Sequence, residues 1–385
     1  MAQKTNNGLL WGILIILVVL GVIYFNTQNT ATEDEVDTGS VEIGVILPLT
    51  GDSASYGIAI QQAYDLAAEQ LNANGGIDGR MVELVYENGK CDGTTATTAA
   101  QKLINIDEVV IILSGTCSSE TLAAGELTQA ARVLLLTSAT SSDISDAGDL
   151  VFRTYPADDF ESALMAKYAD ETLGYDRVAL ISENTDFAQT LRQAFIPDWI
   201  ARENNVVFDE AFETEETDFR TLLTKLKAAN PQAVYVIPES LATGELVLKQ
   251  LQELRVSAKV FAAKSMFDSL AFAENPSLYE GVVLSEVKID EENEVTAGMI
   301  ESYEEKYGST PEFADITASA YDSFNLVTEA MMAGNMTAEA IAAYFNESIS
   351  DWEGSLGTFN FDENGDALID LNLVEVKSGE LVEIE

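Results

Sequence analysis

Val41-Glu42-Ile43-Gly44-Val45-Ile46-Leu47 is a short, nearly continuous apolar run, and the residues after it repeat its logic. Residues 56–74 carry apolar or small side chains at spacings of three and four, and Val82-Glu83-Leu84-Val85-Tyr86 is mainly apolar again. Strands this short, separated by amphipathic helices, read as buried parallel strands in a βαβ succession. The same alternation predicts helices over 94–106 and 119–131 and strands over 109–113 and 133–136. It restarts beyond Phe152-Arg153-Thr154, with helices expected over 160–172, 187–203, 219–229 and 241–254. Strands are expected between them over 177–181, 206–212, 233–236 and 259–262. Two doubly wound α/β units in series is the economical fold. The last hundred residues break the rhythm, with helices over 294–307, 317–332 and 338–345. Strands over 358–361 and 371–376 follow without a crossover helix, so they read as additions to sheets already built.

Composition narrows the function. The chain has 385 residues, 20 Lys and Arg against 65 Asp and Glu, a net charge of −45 and no histidine. The length suits two lobes of roughly 150 residues each. A hydrophobic fraction of 47% with 22% charged residues is globular composition. So negative a chain repels a phosphate backbone, and no basic stripe offsets it, so nucleic acid is excluded as a partner. Without histidine there is no Ser-His-Asp or Cys-His catalysis and no imidazole zinc site. The charge exceeds what solubility needs, but salt confines its reach to about 8–10 Å, so an acidic ligand in a cleft is still allowed.

Residues 9–25 are seventeen uncharged, mostly branched or aromatic residues, spanning roughly 26 Å as a helix. Lys4 precedes them and Glu33, Asp34 and Glu35 follow, a polarity that keeps residues 1–8 as a cytoplasmic stub and exports the rest. An uncleaved membrane anchor is expected. A cleaved signal peptide is the rival, and either way the main body works outside the cytoplasm. Residues 26–40 read as an acidic linker. In an oxidising compartment the two cysteines, Cys91 and Cys117, invite one disulfide, with two buried thiols as the alternative.

Several motifs, in order, resemble a known family. They are Gly44-Val45-Ile46-Leu47-Pro48-Leu49-Thr50-Gly51, Ser55-Tyr56-Gly57 and Asn72-Ala73-Asn74-Gly75-Gly76-Ile77-Asp78-Gly79-Arg80. Cys91-Asp92, Gly115-Thr116-Cys117-Ser118-Ser119, Thr137-Ser138-Ala139-Thr140-Ser141, Phe152-Arg153-Thr154 and Phe361-Asp362-Glu363-Asn364-Gly365-Asp366 continue the likeness. From about residue 41 to the end the chain resembles type I periplasmic solute-binding proteins, nearest the branched-chain amino-acid (Leu/Ile/Val) branch of ABC importers. The resemblance implies a type I periplasmic binding protein fold of two α/β lobes joined by three hinge crossings, near 155–158, 285–289 and 362–371. Lobe I would be 41–155 plus 288–362, and lobe II 156–287 plus 369–385. The family also bridges cysteines at the positions of Cys91 and Cys117.

The resemblance implies a binding site as well. Ser118, with Ser119 beside it at a helix N-terminus, matches the family's carboxylate-binding serine, and free amides there suit a small anion. Ala139 and Ser141 match the next turn, Tyr56 an aromatic wall, and Phe187 an aromatic closing from the second lobe. Ser118 and Ser141 can instead be ordinary helix caps, and Phe187 a core residue. The family places an acidic residue for the ligand's ammonium where this chain has Lys264, and Glu239 falls where a tyrosine is common. Either Glu239 takes the ammonium and Lys264 pairs with it, or Lys264 meets a second anionic group on a dicarboxylate or other organic acid. A slipped alignment with a solvated Lys264 is the third reading.

Asp362, Asn364, Asp366 and Asp370 imitate the start of a calcium loop, but Ala367 replaces the required glycine and Leu373 the bidentate glutamate, so a turn is expected. Asn335-Met336-Thr337 and Asn346-Glu347-Ser348 are sequons. The expected function is a monomeric, extracytoplasmic substrate-binding subunit of an ABC importer, with no cofactor, passing an amino acid or small carboxylate to permease and ATPase subunits. A sensor subunit of the same fold is the alternative; an enzyme with a Cys117 nucleophile lacks its base.

Overall fold

The computed structural model describes residues 39–384. Its first sheet contains β1 (Val41–Leu47), β2 (Val82–Asn88), β3 (Ile111–Ser114), β4 (Leu134–Thr137) and β5 (Val151–Arg153). The order is β2-β1-β3-β4-β5 and every pairing is parallel. The connections are α1 (Ala54–Ala73), α2 (Gly93–Asn105) and α3 (Ser118–Ala131). β3 and β4 are buried along their whole lengths, as central parallel strands covered on both faces must be. β2 is half-exposed at the sheet edge, where Glu83 and Glu87 discourage further pairing.

The second sheet repeats this winding. α4 (Asp158–Lys167) ends in a π turn over Tyr168–Thr172 and leads into β6 (Arg177–Glu183). α5 (Asp186–Ala201), β7 (Asn205–Phe212), α6 (Arg220–Ala229), β8 (Ala233–Ile237), α7 (Leu241–Glu253) and β9 (Lys259–Ala262) follow. Two short helices, α8 (Ser269–Glu274) and α9 (Pro276–Tyr279), precede β10 (Val283–Glu286). The parallel part runs β7-β6-β8-β9-β10, the same 2-1-3-4-5 order as the first sheet. Two lobes, each one doubly wound sheet, is therefore the architecture.

The chain then supplies α10 (Glu294–Tyr307), α11 (Ala314–Met332) and α12 (Ala338–Ser348). Phe324 of α11 and Phe345 of α12 pack into the core that also holds Ile43 and Val45 of β1. A two-stranded ribbon of β11 (Trp352–Glu353) and β12 (Thr358–Phe359) follows. β13 (Asn372–Lys377) and β14 (Glu380–Glu383) extend the second sheet antiparallel beyond β10. The expected addition to an existing sheet is thus found for 372–377. The strand expected over 358–361 is a correction: it pairs with β11 and joins neither main sheet. β5, β10 and β14 were not expected as strands at all. The segment 9–25 lies outside the described residues, and no described helix is long and apolar enough to cross a membrane.

Arg153, at the end of β5, has no solvent exposure. Each of its three guanidinium nitrogens donates to an acceptor. Nε donates to Asp366 Oδ1 at 2.9 Å and Nη2 to Ser145 Oγ at 2.7 Å, while Nη2 also lies 2.8 Å from Asp366 Oδ1 as a charge contact. Nη1 donates to the Thr140 and Ser141 carbonyls at 3.1 and 2.8 Å. The 362–366 segment is a turn, with Asp362 Oδ1 accepting the amides of Asn364 and Asp366. A side chain at Gly365, where φ is +81°, would meet the Val151 carbonyl at 2.9 Å. Asp366, spent on the guanidinium, is no calcium ligand.

Removing the carboxylate would leave a desolvated cation, so Asp366→Ala should lower stability by about 3–5 kcal/mol. Urea unfolding followed by circular dichroism measures it, and a loss below about 1 kcal/mol would contradict the tight burial of this pair.

Candidate functional site

In sheets of this order the crevice forms outside the carboxyl ends of the strands, where the crossovers diverge. A cavity of about 510 Å³, open solvent at its mouth included, lies there between the lobes. The first lobe lines it with Tyr56 after β1, Thr116 and Cys117 after β3, and Ser138 and Thr140 after β4. The second contributes Phe187 after β6, Glu239 after β8, and Lys264 and Ser265 after β9. Ser53, Tyr155 and Ile316 complete the wall. Gly57 sets Tyr56 in place: a Cβ there would sit 2.3 Å from the Pro48 carbonyl, so only glycine lets α1 begin so close to the β1 loop.

Groups of the two lobes meet across this cavity. The Tyr56 hydroxyl donates to the Ser265 carbonyl at 2.8 Å. Lys264 Nζ lies 2.6 Å from Asp315 Oδ2 on α11, a charge contact rather than a well-directed hydrogen bond. The Tyr155 hydroxyl donates to that same Oδ2 at 2.6 Å. Burial alone would push the Asp315 carboxyl up, but the ammonium and the phenol outweigh it and hold it below the usual carboxylate range.

A family model described as periplasmic binding protein matches residues 40–380. The chain belongs to the periplasmic binding protein family. It is 29% identical over 249 residues to an amino acid binding protein of Pseudomonas aeruginosa, covering 64% of this chain and 66% of that one. It is 25% identical over 338 residues to the leucine-, isoleucine-, valine-, threonine-, and alanine-binding protein of the same organism, covering 85% and 87%. Among solved structures it superposes on a leucine binding protein of Thermotoga maritima with a TM-score of 0.81 and 26% identity, covering 90% of this chain and 98% of that one. The resemblance read from the motifs is thereby borne out, and membership makes the chain a solute-binding protein rather than an enzyme.

Of the residues expected at the site, this periplasmic binding protein brings Tyr56, Phe187, Glu239 and Lys264 onto one cavity. Ser118, Ala139 and Ser141 are fully buried just behind the wall. Ser118 Oγ accepts the Ser141 amide at 3.3 Å, and Ser141 Oγ accepts the Asp143 amide at 3.3 Å, as a cap would. Ser119 donates to the Cys91 carbonyl at 3.0 Å. The N-terminus of α3, whose first residue is Ser118, has no side-chain cap, and Cys117 just before it lines the cavity. The lining residues Ser53, Thr116, Ser138, Thr140, Tyr155, Ser265 and Ile316 are not among those the sequence reading picks out. Thr116, Ser138 and Thr140 lie within the quoted motifs, one or two residues from the positions chosen. Two of the three readings of Lys264 are corrected: it neither pairs with Glu239 nor lies in solvent, but is buried against Asp315, a helix residue that gave no signal in the sequence.

Cys91 and Cys117 form the disulfide, with Cα atoms 5.3 Å apart. Glu239 Oε1 lies 3.2 Å from Cys91 Sγ. That sulfur carries no proton, so a hydrogen bond there requires a protonated carboxyl as donor. Donor-type atoms of Cys91, Cys117 and Glu239 lie within 4.8 Å of one another, but the disulfide withholds both thiolates from any metal. Burial pushes the Glu239 carboxyl up to about 8. The Thr185 hydroxyl pulls the other way, and the charges of Glu183, Asp158 and Asp186 add to the rise.

Glu239 therefore keeps its proton from its ordinary value of 4.5 up to about 8 in the folded state, while the unfolded chain has lost it. The folded protein binds more protons across that window, so this group lowers stability as pH rises through it. Glu239→Gln should make stability fall less steeply between about pH 5 and 8. Denaturant midpoints measured across the window check this; identical slopes would place the proton elsewhere.

Proposed function

We propose that the cavity takes a free α-amino acid, and that the chain is the extracytoplasmic substrate-binding subunit of an ABC importer. One observation carries the reading. Ser138 Oγ in the first lobe and Glu239 Oε2 in the second are both buried, both belong to side chains lining the cavity, and neither has a hydrogen-bond partner. Orphaned buried polar atoms cost about 1–3 kcal/mol each, so a ligand that satisfies both gains by entering. A donor and acceptor hydroxyl beside an uncapped helix N-terminus suits a carboxylate, and a desolvated carboxyl opposite suits an ammonium. Tyr56, Phe187, Tyr155 and Ile316 leave an apolar surround for an uncharged side chain. The known relatives named for leucine, isoleucine and valine binding support this class.

In this reading Ser118, Ser119, Ala139 and Ser141 form the carboxylate wall and its backing. The lobes, 41–155 plus 288–362 and 156–287 plus 369–385, close by hinging at the three crossings. Residues 9–25 anchor a monomeric ectodomain to the membrane through the 26–40 linker, and the closed form is what permease and ATPase subunits recognise. Closure follows binding only because the ligand contacts both lobes, and so favours the closed state.

Calorimetry with leucine and the other amino acids tests the proposal. Glu239→Gln should weaken binding by about 2 kcal/mol and Ser118→Ala by about 1–3 kcal/mol. Pairing an ammonium with Glu239 must ionise it, so the protein should release a proton on binding, and affinity should fall as pH drops below about 8. No heat with any amino acid, or unchanged affinity in Glu239→Gln, would sink the assignment.

A further inference from the structure

Among the side chains lining the cavity, Lys264 is the one basic group and Glu239 the one acid. If Glu239 serves a ligand's ammonium, Lys264 is the group that would welcome a second carboxylate on the ligand's tail. Its ammonium is not free to do so. It lies 2.6 Å from Asp315 and 3.9 Å from the centre of the Phe267 ring, in a pair whose side chains are 9% and 7% exposed. Asp315 is held in turn by the Tyr155 hydroxyl, and its neighbour Ile316 reaches the cavity surface. Glu161 and Glu286 also act electrostatically on Lys264. The surroundings of the ammonium are thus already at least neutral, and an added carboxylate would meet Asp315 before it met an unclaimed cation.

We propose that Asp315 is a specificity-determining residue: by cancelling Lys264 across the interlobe gap, it makes the cavity select an uncharged ligand tail and refuse both acidic and basic ones. Neither partner needs to touch the ligand's α-carboxylate or α-ammonium for this. The inference rests on the amino-acid reading above and adds the charge of the tail to it. It also separates the pair from a plain latch. A latch would weaken every ligand alike when broken, whereas a charge filter changes the ratio between ligands. Removing one partner leaves the other's charge uncancelled beside the cavity, so the two single substitutions should shift selectivity in opposite directions.

The test uses the full-length protein and three probes of matched backbone chemistry: leucine, glutamate and lysine. Wild type should bind leucine at least tenfold more tightly than either charged probe. In Asp315→Asn the glutamate-to-leucine affinity ratio should rise at least tenfold, because Lys264 is now unpaired. In Lys264→Gln the lysine-to-leucine ratio should rise by a similar factor, and the double variant should show neither gain. Equal losses for all three probes, with no change in ratio, would overturn the filter and leave a latch. A single variant that fails to fold leaves the other to decide. If both fail, wild type decides: glutamate or lysine bound as tightly as leucine refutes the inference outright. If wild type binds no amino acid at all, the broader assignment fails and this inference falls with it. That outcome is distinct from leucine binding with unmoved ratios.

Discussion

A guanidinium with no access to water must place its N–H groups on acceptors at a cost for each omission, and, with Asp366 balancing the charge, all three nitrogens of Arg153 donate to one. Its acceptors fix three separate things. The Thr140 and Ser141 carbonyls belong to the loop whose residues 138 and 140 line the cavity. Ser145 belongs to the short helical turn after that loop. Asp366 belongs to the segment that leaves the first lobe for β13 in the second. The Arg153 main chain is paired with the same segment, accepting from Ala367 and donating to Gly365. One side chain therefore sets the shape of a cavity wall and the place where the last crossing begins, and the two cannot move independently.

The large negative charge of the chain gains meaning against this background. Among the described residues most ion pairs have at least one exposed partner, and solvent screening leaves such pairs with little net value. Among the described residues only Arg153–Asp366 and Lys264–Asp315 have both partners under a tenth exposed. Both lie beside the cavity. Other buried carboxyls near it are held by neutral donors: Glu120 by the Cys91 amide at 2.5 Å, and Glu161 by the Tyr235 and Ser285 hydroxyls at 2.6 and 2.9 Å. Burial raises both of these acids, Glu120 to about 7. The interior of the cleft region is therefore far less negative than the formal count of carboxylates suggests, and its charges are placed one by one.

How much of this was legible follows from what leaves a local trace. β1, β3, β4 and β8 are continuous apolar runs bounded by helices, and each was readable as a buried parallel strand. β5 has three residues and β10 ends in a glutamate, so neither is long or regular enough to stand out. Tyr56, Phe187, Glu239 and Lys264 are legible through the family resemblance, which matches each to a binding position after a strand. Ser138 and Thr140 were passed over for 139 and 141 because neighbouring loop residues point opposite ways, and nothing in Thr137-Ser138-Ala139-Thr140-Ser141 says which parity faces the gap. Asp315 is illegible for a different reason. It lies 51 residues beyond Lys264, within a helix of mostly buried side chains, and only the meeting of the lobes brings Lys264 to it.

That meeting also determines what a ligand must contribute. Tyr56 with the Ser265 carbonyl, and Lys264 with Asp315, join the lobes through protein groups alone, so part of the energy of closure belongs to the polypeptide. Against it stand Ser138 Oγ and Glu239 Oε2, buried by the same approach and unpartnered. Each orphaned group costs about 1–3 kcal/mol, which opposes these cross-lobe contacts. A solute that bonds to both orphaned atoms removes the opposing term and adds its own contacts. A solute that reaches only one removes half of it. On the proposed reading, selectivity for a ligand with an anionic and a cationic end is therefore inseparable from closure, because the atoms that recognise the two ends belong to different lobes.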